Sequence, residues 1–553
     1  MSGIKTQLSR LPEVIRNYRQ WPFDPALLSF LLLMSNYRIS FKIVALIGVY
    51  VWRPDFKWRN GALVWFYVTL PVLALVNLFF VSGDLSVSHI VAVLVCVGLW
   101  LAALLAFRQV SLFIAQLPVV KTETTLKWLA GINLAVSLAD LIKIMLATQS
   151  LNPYTQISPP PYGISSGDLI GGAFGGMHLV NTAICCMLCV FFIYRGSLVF
   201  TLISLTPFLL TGSNLGTLIL CALLGYVLFF KTGLVYKTIA VFCLLAVIVY
   251  YNKITPDNGK YMTSVLTKVP AHLKIKNKEE LPAKVDSEKA GTIALIPQKR
   301  VYTKDELINL YLQYLRKRNA IAETETTDKL QTSVLSSFTS YANKEKKERG
   351  RMENKVFYLK DSVQKAKSKK AFFDYGRLKK FDLEHEAGKI TSFKQTAAYL
   401  SSGAAAFLFG AGAGSFSSRQ AFITSGIVED SRLLMLLPHY ETFEFKNNHE
   451  AIFKYLMFRD DETHSITNLP FCWYNQMLGE YGILGALAFF VLYCGFFIKR
   501  YRHLSYGRML LPALLMFFLF DYWYERLSVV IIFELLMLLD MKIREEEQNK
   551  VQV

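Results

Sequence analysis

Charge is scarce in this chain. Asp, Glu, Lys and Arg make up 18% of its 553 residues and apolar types 53%, whereas about a quarter of a soluble globular protein is charged. That balance excludes a solvated globule as the whole of the molecule. Cysteine is scarce where a secreted scaffold would need it. Cys96, Cys185, Cys186, Cys189, Cys221, Cys243 and Cys494 fall in apolar runs and only Cys472 lies elsewhere, so no disulfide framework is expected. Cys185, Cys186 and Cys189 read as small hydrophobes of a membrane helix, not as a metal site. No internal repeat of fixed period and no coiled-coil heptad is visible. Aromatic residues are not interleaved with the basic runs, which argues against a nucleic-acid partner. The first 25 residues are basic and polar, and no small-residue cleavage site follows an apolar core. The first hydrophobic segment is therefore expected to act as an uncleaved anchor.

What the chain has in abundance is apolar runs. A span needs about 20 mostly apolar residues, and the candidates are 61–82, 86–106, 126–147, 171–194, 197–211, 213–230, 235–251, 481–498, 508–521 and 525–541. Two shorter segments, 26–36 and 40–52, read as a tilted or half-inserted hairpin. Lys and Arg concentrate in alternate loops, with Arg53, Lys57 and Arg59, then Arg108, Lys121 and Lys127, Arg195, Lys231 and Lys237, and the group from Lys499 to Arg508. The intervening loops near 82–85 and 148–166 carry none. By the positive-inside rule this predicts about twelve spans with both termini cytoplasmic. The fold class expected is an all-α polytopic membrane protein with one large, mainly helical loop on the other face.

Four regions follow. Residues 1–251 form a first transmembrane block of about nine spans, 252–480 a large extracytoplasmic loop, 481–541 a closing block of about three spans, and 542–553 a cytoplasmic tail. The loop has two characters. Residues 253–387 are highly charged. They include a helical pattern from Lys304 to Arg318, with Thr303 and Glu306 as a capping box, and basic runs at 344–351 and 365–370. From Gly388 to Glu480 charge thins and Gly, Ser and aromatics increase, as expected of a part that folds back on the membrane body and bears the site. The loop holds 36 Lys and Arg against 27 Asp and Glu. That excess reads mainly as a solvated helix face, with contact to anionic lipid or an acidic glycan as the alternative.

Three segments carry chemistry. In LFGAGAGSFSSR, residues 408–419, Gly410, Gly412 and Gly414 alternate, which permits positive φ and leaves backbone N–H groups uncovered for an anion. Ser415, Ser417, Ser418 and Arg419 add donors, and a tight interhelical loop is the bland alternative. In 462–485, Asn475, Gln476, Glu480 and Tyr481 sit at a membrane border, where a carboxylate is costly unless it faces a cavity or a partner. In 205–230 a polar turn of Thr211, Gly212, Ser213 and Asn214 separates two spans, and a plain hairpin turn explains it equally well.

Together these segments resemble the O-antigen ligase and O-antigen polymerase superfamily of bacterial envelope glycosyltransferases. The similar stretches are Thr211 to Asn214, Gly388 with Lys389, Gly412 to Phe416, and Glu480 to Gly485 with glycines at 482 and 485. Asn214 and Lys389 stand where the family commonly has arginine, and lysine lacks the bidentate fork for phosphate. Pro470, Phe471 and Cys472 occupy the region where ligases carry a histidine, which inclines the reading toward a polymerase.

The resemblance implies a GT-C-like fold in the bacterial inner membrane with the loop periplasmic. It implies transfer of a polyprenyl-diphosphate-linked glycan to another lipid-linked repeat or, in a ligase, to lipid A-core or a protein hydroxyl, without metal or other cofactor. Expected partners are that substrate, membrane lipids and other polysaccharide-assembly proteins. A departing diphosphate needs cations and N–H donors, and Lys389, Arg419, Arg432 and the 410–414 loop are the expected binding groups, with Asn475 beside them. The acceptor hydroxyl needs a base, for which Glu480 and then His464 are the catalytic candidates. A transporter or flippase is the rival class, pointed to by Asp140 and Lys143 within one span. A scaffold docking partners on its charged loop is the third.

Overall fold

The computed structural model describes residues 21–36, 38–52, 61–82, 84–155, 166–175, 177–231, 233–256, 258, 388–427, 438–453 and 469–552. The chain divides into two units, residues 1–273 with 382–553 and residues 274–381, and every described residue belongs to the first. The charged helix expected from Lys304, both basic runs, Arg432 and His464 lie outside the described residues.

The described residues are helical, with no strand among them. In chain order the helices are α1 (Pro25–Ser35), α2 (Ile39–Trp52), α3 (Gly61–Val76), α4 (Val87–Gln116), α5 (Val119–Thr148), α6 (His178–Tyr194), α7 (Leu198–Leu210), α8 (Asn214–Phe230), α9 (Leu234–Val249), α10 (Gly388–Leu400), α11 (Ala404–Phe409), α12 (Arg419–Thr424), α13 (Trp473–Ala488), α14 (Gly507–Phe517), α15 (Trp523–Arg526) and α16 (Ser528–Gln552). Five helical segments have the length and apolarity to cross a membrane: Gly61–Val81, Val87–Gln116, Val119–Thr148, Leu234–Ile254 and Trp473–Lys499. Six shorter apolar helices accompany them, among them α1 and α2 from the segments read as a hairpin. The architecture is that of a helical membrane protein.

Two helices form the centre. α6 is buried on every face from Val180 to Ile193, and α16 from Ser528 to Asp540. A helix apolar all round belongs inside a bundle. α1, α4, α6 and α14 pack on α16, and α7 packs on α6 and α5. Local signals start the helices where they begin. The Asp24 carboxylate accepts the Leu27 N–H at 2.8 Å, and Pro25 opens α1, a position where its missing N–H costs nothing. Ser86 caps α4 through the His89 N–H at 3.3 Å.

Hydropathy misplaces two ends. α4 continues to Gln116, ten residues past the expected window, because neighbours bury its polar stretch; Arg108 donates to the Tyr50 hydroxyl at 2.9 Å. α13 starts at Trp473, so the boundary expected at 480 falls inside a helix. That early start brings Asn475, Gln476 and Glu480 onto one rigid element.

Candidate functional site

The site is organised by a break in α13. Gly482 has φ 63° and ψ −162°, which interrupts the helix and leaves the carbonyls of Gly479 and Glu480 without their usual partners one turn on. The 410–414 loop supplies the missing donors. The Ala411 N–H reaches the Gly479 carbonyl at 2.8 Å, and the Gly412 N–H reaches the Glu480 carbonyl at 3.1 Å. A side chain at Gly410 would sit 2.6 Å from the Glu480 backbone, so only glycine allows this approach. The Glu480 side chain then turns back into the loop. Its carboxylate accepts the Gly414 N–H at 2.9 Å and the Phe416 and Ser417 N–H groups at 3.1 Å each. The concave N–H site expected for a diphosphate thus holds the Glu480 carboxyl group of the chain itself.

Around this core lies a buried polar shell. The Ser417 hydroxyl meets His449 Nδ1 at 2.6 Å and the Tyr522 hydroxyl at 3.2 Å. His449 Nε2 donates to the Ser392 carbonyl at 3.3 Å, and burial pushes the imidazole down to about 3, so it is neutral. Asn475 donates to the Ser392 hydroxyl at 2.8 Å and accepts from Thr396 at 3.1 Å, tying α13 to α10.

Lys389 is buried too. Its ammonium donates to the carbonyls of Leu469 at 3.1 Å and Phe471 at 2.6 Å and lies 5.2 Å from the Phe520 ring. Burial pulls its pKa down to about 8, against the opposing pull of Cys472 and Asp521. An unfolded lysine titrates near about 10.4. Between those values the unfolded chain binds more protons than the folded one, so stability rises with pH. The wild type is expected to gain thermal stability from pH 8 to about pH 10 relative to Lys389→Met. Parallel melting curves for the two proteins across that window would show that Lys389 titrates normally.

The short turn α15 brings a second set of charges. The Glu525 carboxylate accepts from Gln476 Nε2 at 2.5 Å and from the Gln420 N–H at 3.1 Å, and the Arg419 guanidinium acts on it electrostatically. Asp521 and Arg526 pair at 2.7 Å, both buried. That pair interacts with a second one, Asp168 and His178, 3.2 Å apart at the start of α6. Leu527, at φ 58°, makes the tight reversal into α16. The Thr211 carbonyl lies 2.3 Å from where a Gly167 side chain would begin, so the 211–214 turn abuts the Asp168 segment. Asn214 itself bonds Asn258 at 3.0 Å.

The structure therefore brings together Gly410, Gly412, Gly414, Glu480, Arg419, Asn475 and Lys389 at one end of the bundle, linked through Gln476, Gln420 and α10. Among the described residues, no three His, Cys, Asp or Glu side chains gather as a metal would require. The Asp140 carboxylate, singled out for transport, caps the Gly172 N–H at 3.2 Å, and Lys143 beside it is exposed. Residues that sequence reasoning passed over are His449, Asp521, Tyr522, Glu525 and Arg526. The last four lie in DYWYER, residues 521–526, at the junction of two apolar runs, a cluster of charges whose burial cost was a usable signal. No protein-family model, no curated protein and no solved structure matches this chain.

Proposed function

We propose that the protein is a membrane glycosyltransferase that polymerises polyprenyl-diphosphate-linked oligosaccharide repeat units. On this reading it has about twelve spans in a bacterial inner membrane, both termini cytoplasmic and the 252–480 loop periplasmic. The observation that carries the proposal is convergence. The segments at 388–389, 410–416 and 480–485 bear the family resemblance, and they knit into one buried polar cluster with Glu480 at its centre. Burying such a cluster at a bundle end costs stability, and groups kept buried at that cost point to a functional site. A departing diphosphate requires positive charge, and the cations in this cluster are Lys389, Arg419 and Arg526, of which Arg526 is paired with Asp521 and Arg419 acts on Glu525. Transfer to lipid A-core or a protein, as in a ligase, is the second outcome of the same chemistry.

The test is reconstitution in liposomes with a lipid-diphosphate-linked repeat unit, read by gel and mass spectrometry. A ladder of lipid-linked oligomers is the expected result. Transfer that appears only when lipid A-core or an acceptor protein is added would make the enzyme a ligase. Neither product from verified native substrate would end the glycosyltransferase reading and leave transport as the one to measure.

A further inference from the structure

A cavity of about 170 Å³ lies where α6 and α8 end, α14 begins and α16 leaves the bundle, lined by Tyr194, Arg195, Lys231, Tyr236, Ser505 and Arg544 among others. None of these residues belongs to the cluster around Glu480. Its cations come from segments far apart in sequence: the turn after α6, the turn after α8 and the last part of α16. Arg195 and Lys231 sit in loops that the positive-inside pattern puts on one side of the membrane, the side of the C-terminal tail. The fold gathers them with Arg544 at one pocket.

Lys231 is the informative group. It is half-buried, and its ammonium lies 4.2 Å from the centre of the Tyr194 ring. That ring packs against Tyr236 and Tyr506, with centroids 6.1 and 6.2 Å away. Burial and then the Arg544 and Arg508 guanidiniums pull the Lys231 ammonium below the usual lysine value, against the weaker opposing pull of Asp540. Arg508 is fixed in turn by the carbonyls of Tyr501 at 2.9 Å and Arg502 at 2.7 Å. A cation free to reach water relieves such repulsion by turning outward. Lys231 is held on a ring beside like charges. The nearby acids are engaged elsewhere. Glu123 pairs with Arg195 Nε at 2.7 Å, and Glu547 pairs with Arg544 at 2.9 Å. Asp540 accepts the N–H groups of Ser505 at 2.7 Å and Gly507 at 2.9 Å.

Cations packed together at a small pocket between helix ends are a recognition set for phosphate. Arg195 keeps four N–H donors beyond the Nε that pairs with Glu123. The volume is below that of ordinary small-molecule sites, about 300–1,000 Å³, so it suits one phosphate group better than a nucleotide.

We propose that this cavity binds a phosphate group, with the headgroup of an anionic glycerophospholipid as its source. The ends of apolar helices meet the headgroup layer, where tyrosine is a common residue, so lipid phosphate is present there at high local concentration. A bound phosphate relieves the repulsion among Lys231, Arg508 and Arg544 and ties the ends of α6, α8 and α16 together. The assignment stands apart from the glycosyltransferase reading, and its test needs no donor glycan.

The experiment titrates the purified full-length protein, in an uncharged detergent, with short-chain phosphatidylglycerol, short-chain phosphatidylcholine and inorganic phosphate. Calorimetry reads the affinity, and the thermal midpoint is followed alongside. Phosphatidylglycerol is expected to bind and to raise the midpoint. Lys231→Gln and Arg544→Gln are each expected to weaken it about tenfold or more, the effect of one lost hydrogen bond to a charged group. Lys143→Gln, which removes an exposed lysine from another helix, is expected to change nothing. A merely structural Lys231 would lower the midpoint of the ligand-free protein on substitution, whereas loss of a repelled cation is expected to leave it equal or higher. If Lys231→Gln folds poorly, Arg544→Gln, at a half-exposed position, carries the same comparison. Inorganic phosphate binding as tightly as the lipid, with the same loss in both variants, upholds the phosphate site and makes its source soluble. Equal affinity for phosphatidylcholine, which has no net charge, overturns the proposal. So does wild-type affinity for phosphatidylglycerol in both variants, or a wild type that binds none of the three.

Discussion

Glu480→Ala is expected to remove the folded protein along with its activity. The carboxylate accepts three buried backbone N–H groups, and each buried donor left unsatisfied costs about 1–3 kcal/mol. The sum, on the order of 5 kcal/mol, approaches the whole stability margin of a typical domain, about 5–15 kcal/mol. Glu480→Gln is milder. One side-chain oxygen still accepts from Phe416 and Ser417, while the new amide nitrogen opposes the Gly414 N–H. The measurement is the yield of monodisperse protein in detergent and its thermal midpoint, for both variants. If Glu480→Ala melts with the wild type and loses only transfer, the carboxylate acts chemically, as the base expected from the sequence.

Gly482→Ala is expected to be comparably severe for a different reason. At φ 63° and ψ −162° a residue lies in a region essentially reserved for glycine. An added methyl carbon would sit 2.4 Å from the Leu408 carbonyl oxygen and 2.6 Å from the Phe409 nitrogen. Both are backbone atoms of α11 and its exit, so no side-chain rotation relieves the clash. Backbone strain alone costs about 1–3 kcal/mol, and displacing α11 disturbs the loop contacts to Gly479 and Glu480 as well. Gly98→Ala is the matched control. It lies within α4 with open space around it, and alanine there is expected to leave stability unchanged or raise it by up to about 1 kcal/mol. Equal melting points for Gly482→Ala and wild type would mean that α13 is continuous and the loop docks otherwise.

Much of the fold is legible because membrane helices announce themselves by composition. The expected runs 61–82, 213–230 and 235–251 fall almost residue for residue on helices. Hydropathy fails where polar residues are buried by neighbours, as at Arg108 in α4, since it assigns every polar side chain to an interface. The candidate site is legible as parts and illegible as pairs. The glycine loop and Glu480 each carry a local signal, a positive-φ pattern and a carboxylate in an apolar setting. Both signals point to an outside partner. That they satisfy each other depends on a tertiary contact across 63 to 66 positions, which no local pattern encodes.

The bonds between the glycine loop and later segments also set an order of assembly. A ribosome emits residues 410–417 well before Glu480, and Glu480 well before Glu525, whose carboxylate holds Gln420 from 105 positions downstream. While the chain is still being made, the loop's donors have only water to bond. They find their acceptors once α13 and then α15 have followed. The end of the molecule that holds the glycine loop is therefore the last part to close, and it closes only around a chain whose final helices are in place.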